Sequence, residues 1–355
     1  MAQVALSHFT QVAWDADAAS ASAIAPASYP CIVSAFNPEI VESIPDARNI
    51  GQSAPMPDRP GARRGAVQFA RELVGQTAKA VPPRDGALLR ACGAKEASSG
   101  STYAAYIYTF AGPVASEGNI HLPLTTVGTG GDLDPVDLEI TIGASTTPVK
   151  HLVNKCVGNV VFDITPGQYP IARYDFVGKI PGVGDTPAGV STSALAGNTN
   201  AAATAQGTDG TSVKVGTATY TLNTGGGAVN MVGRSLSLDM GNAVFLRPSI
   251  SGEFGYTTPI IAMRDPVYTA VVEVPLKTSM DFESAFVAGT SIAFIYIHNV
   301  GATKYGQQIT FAGDMLIRSA AAIGDDGGAM VYTLTMGQNS TVGKNPFTVT
   351  YLAQT

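Results

Sequence analysis

The sequence predicts a mainly β protein built as two tandem β-sandwich domains, each with one short flanking helix. Three observations carry this expectation. Apolar and polar residues alternate in many short runs, glycine and proline (39 and 22 of 355 residues) punctuate those runs, and one order of elements occurs twice along the chain.

Residues 1–62 contain Pro26, Pro30, Pro38, Pro45, Pro55, Pro57 and Pro60, spaced too closely for long helices or central strands. The expectation is an extended N-terminal arm, ordered through Ile32-Val33, Phe36 and Ile40-Val41. The first domain is placed at 63–180. It opens with a strand whose Val67, Phe69 and Leu73 share a face. Pro82-Pro83 introduces a short helix ending at Gly93, with Leu88, Leu89 and Cys92 on one side. An aromatic strand follows at Thr102–Phe110, and Asp137–Ile142 is a strand with Leu138, Ile140 and Ile142 in phase. Val157–Ile164 and Ile171–Val177 form a hairpin around Thr165–Pro170.

Residues 181–230 are a linker or surface insertion rich in Gly, Ala and Thr, with one strand at Thr217–Leu222. The second domain is placed at 231–340. Leu236, Leu238 and Met240 alternate on one face, and Tyr268–Val274 is rich in β-branched residues. A short helix runs from Ser279, as N-cap, to Gly289, with Phe282, Ala285 and Phe286 on one face. Ile292–Ile297, Ile309–Phe311, Met315–Ile317 and Met330–Met336 are strands, the last two flanking a turn at Gly324–Gly328. Residues 341–355 are a C-terminal tail with one weak strand.

Both halves thus run strand, short helix, aromatic strand, terminal hairpin. This argues for an internal duplication in which each half is a small β-sandwich.

Composition limits the function. Only 14% of residues are charged, against about 25% in typical domains. That suits a surface largely covered by copies of itself, because interface cores are poor in charge. Ala- and Gly-rich soluble proteins dilute their charge in the same way. The net charge is −6 and no basic run exceeds Arg63-Arg64, which argues against a protein that grips nucleic acid. Cys31, Cys92 and Cys156 fit no metal spacing and are expected as reduced, buried thiols. The N-terminus lacks the basic and apolar regions of a signal peptide, and no apolar run approaches the roughly 20 residues of a membrane span. The expectation is a soluble, non-secreted chain.

No residues stand out as catalytic, cofactor-binding or metal-ligating. His8, His121, His151 and His298 are scattered without partners at ligand spacing. Asp132, Asp134, Asp137 and Glu139 resemble calcium-ligand spacing, but Pro135 intervenes and the glycine and terminal glutamate of an EF-hand are missing. Gly128–Gly131 lacks the lysine and helix of a phosphate loop, and Asp325-Asp326 belongs to a turn. The expectation is that the protein is not an enzyme.

Four stretches carry a resemblance. They are Phe69–Gly75 with Pro83 and Leu88–Gly93; Leu236–Asn242 with Arg247; Arg264-Asp265-Pro266 leading into Val271–Pro275; and the closing hairpin around Asp325–Gly328. In this order, across about residues 66–336, they resemble the tail tube (major tail) proteins of long-tailed bacteriophages, most closely those with non-contractile tails. The resemblance is weakest before Gly65 and over 181–228.

The resemblance implies β-sandwiches flanked by a helix, with sheets joining around a ring into a continuous β-barrel. It further implies stacked rings forming a virion tail tube assembled in the host cytoplasm, through which DNA is ejected. A chain with two such domains is similar to members that form trimeric rings of pseudo-sixfold symmetry; the alternative is hexameric rings. Implied partners are the chain itself, tail terminator, tape measure and tail-tip proteins, and transiently passing genomic DNA; no membrane and no cofactor are implied. Two other readings stay open: a different virion β-protein (tail terminator, baseplate hub or capsid decoration), or a surface binding module.

Overall fold

A computed structural model describes residues 11–16, 28–30, 32–40, 43–44, 59–60, 63–73, 75, 82–83, 85–99, 105–110, 124–126, 129–130, 133–142, 149–180, 218–223, 227–250, 255–299, 308–319, 322–339 and 344–352. The chain is mainly β, and every described strand pairing is antiparallel.

The first part holds β1 (Gln11–Ala16), β2 (Ser28–Pro30), β3 (Ile32–Ile40), β4 (Ser43–Ile44), β5 (Arg59–Pro60) and β6 (Arg63–Glu72). Helix α1 (Gly86–Ala91) precedes β7 (Lys95–Ser99), β8 (Ala105–Phe110), β9 (Leu124–Thr126), β10 (Thr129–Gly130) and β11 (Val136–Ile142). The long β12 (Val149–Ile164) and β13 (Ile171–Lys179) form the predicted hairpin. Next come β14 (Thr219–Asn223), β15 (Ala228–Asn230), β16 (Gly233–Asp239), β17 (Asn242–Phe245), β18 (Ile260–Arg264) and β19 (Val267–Glu273). Helix α2 (Phe282–Val287) is followed by β20 (Ile292–His298), β21 (Gln308–Ile317), β22 (Ala322–Asp326), β23 (Ala329–Gln338) and β24 (Phe347–Leu352).

Two rows of strands account for most of the pairing. The first runs β3–β6–β13–β12–β16–β19–β23–β22. The second runs β7–β8–β24–β21–β20–β14–β15. The last residues of β21 cross to pair with β23 and so join the rows. Both rows mix strands from both halves of the chain, and one apolar core lies between them. Phe162 and Tyr268 of the first row meet Phe311 and Phe347 of the second, with ring centroids 5.3 and 5.4 Å apart. Phe110 stands 5.7 Å from Phe347, so residues far apart in sequence share one aromatic centre.

The repeated element order has a counterpart in the pairing. β6 pairs with β13, the second strand of the hairpin that follows α1 and β8. β19 likewise pairs with β23, the second strand of the hairpin that follows α2 and β20. β3 flanks β6 as β16 flanks β19. Both helices end where the sequence places the stop: Gly93 and Gly289 have φ of 76° and 61°.

Several expectations need correction. The cap of α2 is Asp281, whose carboxylate accepts from Ser284 N at 3.0 Å, and not Ser279, which bonds back to Leu276 in the preceding turn. Phe286 turns partly outward, while Phe282 and Ala285 are buried. Ile309–Phe311 and Met315–Ile317 are one strand, because Gly313 continues the alternation with its α-carbon side packed against Phe347. The turn expected at 324–328 narrows to Gly327-Gly328, since β22 pairs with β23. The weak strand of the tail is the central β24, paired to β8 on one side and β21 on the other, with Phe347, Val349 and Tyr351 fully buried.

Parts of the expected arm pair within the chain. β3 lies along β6, and β1 sits between β2 and β11. β1 contains no proline, and Pro38 lies in β3, which pairs on one side only among the described residues. Residues 181–217 of the expected insertion, and residues 102–104 of the expected aromatic strand, lie outside the described residues.

Candidate assembly surfaces

The first candidate surface is the seam that joins the two halves in the first row. Val161 to Ile164 of β12 pair with Asp239 to Leu236 of β16. On the core side Phe162, Ile164, Leu236 and Leu238 are buried. On the opposite side Ser237 Oγ donates to Asp163 Oδ1 at 2.9 Å, and Asn159 Nδ2 donates to Asp239 Oδ1 at 2.8 Å. One face of this edge-to-edge join is therefore apolar and the other is clasped by hydrogen bonds. Together these fix its register.

The outer strands of the same row are β3 and β22, and among the described residues each pairs on one side only. All five residues of β22 are exposed. Such an edge is a template for a further strand. At the turn end of β22, Asp325 Oδ1 accepts from Gly328 N at 3.1 Å. The solvent face of the row carries Asp163, Asp175, Asp239 and Glu273 beside Arg173, whose guanidinium is 2.5 Å from Asp163. Burial raises the pKa of Asp175, while Gln68 opposes the rise by donating to it at 3.1 Å.

The second candidate surface is the β17–β18 hairpin. Gly241, at φ 60°, turns the chain out of the first row, where a Cβ would lie 2.0 Å from the Asp265 carbonyl oxygen. The base of the hairpin is held by a polar knot. Arg264 Nε donates to Asn242 Oδ1 at 2.7 Å and Arg264 Nη2 to the Cys92 carbonyl at 2.8 Å. Asn242 Nδ2 donates to the same Cys92 carbonyl at 2.8 Å and to that of Gly158 at 3.0 Å. Loss of solvent around the Arg264 guanidinium lowers its pKa to about 10, so it stays charged at neutral pH. Val244 and Ile261 pack on Leu133 and Val157. Beyond this anchor Phe245, Met263 and Ile250 are exposed.

The third candidate surface is a cavity of about 360 Å³ at the other end of β16, lined chiefly by Ile164, Tyr220, Met231, Val232, Leu236 and Tyr296. The Tyr220 hydroxyl is buried without a hydrogen-bond partner among the described residues.

The residues weighed for chemistry in the sequence are dispersed. His8, His121 and Asp132 lie outside the described residues. His298 is buried, and its Nδ1 is 3.0 Å from Tyr296 Oη. His151 is half-buried, and burial lowers its pKa. Asp134 accepts from Arg90 Nε at 2.8 Å, and Asp137 accepts from Lys155 N at 2.7 Å at a bulge of β12. Among the described residues no group of three or more His, Cys, Asp or Glu is placed to hold a metal ion. Cys92 and Cys156 are free and buried, and burial raises both thiol pKa values; Cys31 lies outside the described residues.

Sequence reasoning brought forward Leu88–Gly93, Gly241-Asn242 and Arg264-Asp265 separately, and the knot at Cys92, Asn242 and Arg264 brings all three together. It missed the open edge of β22 and the apolar cavity. Glycines and acids of β22 disguised the first as a turn, and the second is assembled from strands distant in the chain. No family model and no curated protein matches the chain.

Proposed function

We propose that the chain is a structural virion protein whose copies close into rings and stack as a phage tail tube, the conduit for DNA ejection. The observation that carries this reading is the seam between the halves. β3–β6–β13–β12 and β16–β19–β23–β22 are taken in this reading as equivalent rows, on the matching order of their strands, and β12 pairs with β16 to join them in one chain. The equivalent outer edges are β22 and β3. Pairing β22 of one copy with β3 of the next repeats the internal join. Each chain then contributes two tandem sandwich domains to a ring-wide barrel, and three chains give pseudo-sixfold symmetry. Closure of this kind removes the open edges.

Two further features support the reading. The low charged fraction of 14% suits a surface covered by copies. If the solvent face of the first row lines the lumen, Asp163, Asp175, Asp239 and Glu273 place acids there that disfavour phosphate, offset at Asp163 and Glu273 by ion pairs with Arg173 and Arg234. Partners in this reading are further copies, tail terminator, tape measure and tail-tip proteins. Electron microscopy of the purified chain tests it: rings or hollow tubes are expected, and monomers at every concentration would contradict it.

A further inference from the structure

The ring reading leaves one polar cluster inside the core without a role. Val67, Phe69, Arg71 and Leu73 share the core face of β6, and Arg71 is the charged residue among them. Its Nε lies 2.9 Å from Oδ1 of Asp85, and the two side chains are 6% and 0% exposed. Asp85 directly precedes α1, but its carboxylate does not cap the helix. The Trp14 ring of β1 covers the guanidinium, with Arg71 Cζ 4.8 Å from the ring centroid. An ion pair buried this way is costly unless further hydrogen bonds surround it.

Two tyrosines reach the pair from opposite rows. Tyr174 of β13 pairs with Phe69 of β6, and Ala172 pairs with Arg71, so Tyr174 is the diagonal neighbour of Arg71 on the core face. Tyr351 comes from β24 in the second row. Its ring meets that of Tyr108 edge-on at 5.9 Å. The Tyr108 hydroxyl in turn lies against Gly86, the residue after Asp85, and leaves no room there for a Cβ. Tyr174 and Tyr351 are fully buried, and neither hydroxyl hydrogen-bonds to a described residue. Burial pushes both phenol pKa values well up. The Asp85 charge pushes them further and the Arg71 charge opposes it, as expected of hydroxyls that lie in the field of the ion pair.

The chemistry of these groups selects what fits between them. Arg71 and Asp85 cancel in charge, so an added ion would bring an uncompensated charge into the core. The matching ligand is neutral, accepts from phenol O–H groups and donates to a carboxylate. Water does all three, and a buried water typically makes about three hydrogen bonds.

We propose that Tyr174, Tyr351 and Asp85 form a buried site for structural water, which bridges the two hydroxyls to the carboxylate and ties the start of α1 to both rows of strands. The site does not depend on the ring reading, since it lies within one chain.

High-resolution density maps and urea unfolding of the full-length chain test it, with Tyr174→Phe, Tyr351→Phe and the double variant beside wild type. Phenylalanine keeps each ring and its packing on Phe69 or Tyr108. In wild type a solvent peak is expected at hydrogen-bond distance, about 2.5–3.2 Å, from both tyrosine oxygens and from the Asp85 carboxylate. It should be gone from the double variant. Each single substitution should raise the unfolding equilibrium constant about fivefold, the effect of losing one hydrogen bond. The double variant should show less than the product of the two, because both donors serve the same water. A wild-type map without that peak would overturn the proposal, whether the hydroxyls then bond to residues outside the described ones or stay unpaired. Phenylalanine variants as stable as wild type would overturn it too, since removing an unpaired buried oxygen costs the fold nothing.

Discussion

Arg264 bonds at once to Asn242 Oδ1 and to the carbonyls of Cys92 and Gly93, with its guanidinium 5.5 Å from the Phe110 ring. A hydrogen bond to a charged group contributes about 1.5–3 kcal/mol, and a buried acceptor left unpaired costs more than the bond contributed. Arg264→Met should therefore destabilise the fold by about 3 kcal/mol, read as a lower denaturant midpoint. A loss below about 0.5 kcal/mol would mean that water replaces the guanidinium at little cost. The neighbouring Asp265 behaves differently. Its hydrogen bond with Arg318 holds its carboxyl below the usual range, although the residue is largely exposed. With the folded pKa depressed, the contribution is present above the unfolded value near 3.9 and is lost as pH falls through the folded one. The stability difference between wild type and Asp265→Asn should be under about 1 kcal/mol, steady down to about pH 5 and gone in stronger acid. A difference that grows on acidification would contradict the assignment.

Strands with clean alternation were legible in the sequence. Leu236 and Leu238 of β16, and Tyr220 and Leu222 of β14, fall on the core side as their spacing implies. Helix stops were legible because glycine at positive φ is a local requirement. The status of β24 was not legible: Phe347, Val349 and Tyr351 alternate as any strand does, and only its two partners, β8 and β21, make it central. Tyr351→Ala should cost about 3–5 kcal/mol, and removing residues 347–355 should abolish cooperative unfolding. A truncated chain that keeps a sharp transition would return β24 to the peripheral tail its sequence suggests. β22 carries the opposite lesson, since its Gly324, Asp325 and Asp326 have turn chemistry yet lie in an edge strand.

At the scale of the molecule, both halves share one core and one connected network of strands. The repeated order of elements was visible in the sequence. The pairing of β12 with β16 was not, because it crosses the poorly patterned stretch 181–230 and depends on contacts distant in sequence. The same limit applies to the proposed pairing of β3 with β22 of the next copy, on which ring closure would turn. Negative-stain microscopy of the purified full-length chain tests that closure most directly. The account predicts rings and hollow tubes whose end-on averages show three chains in six similar lobes. Particles that remain monomeric at every concentration, or filaments without a central channel, would contradict it.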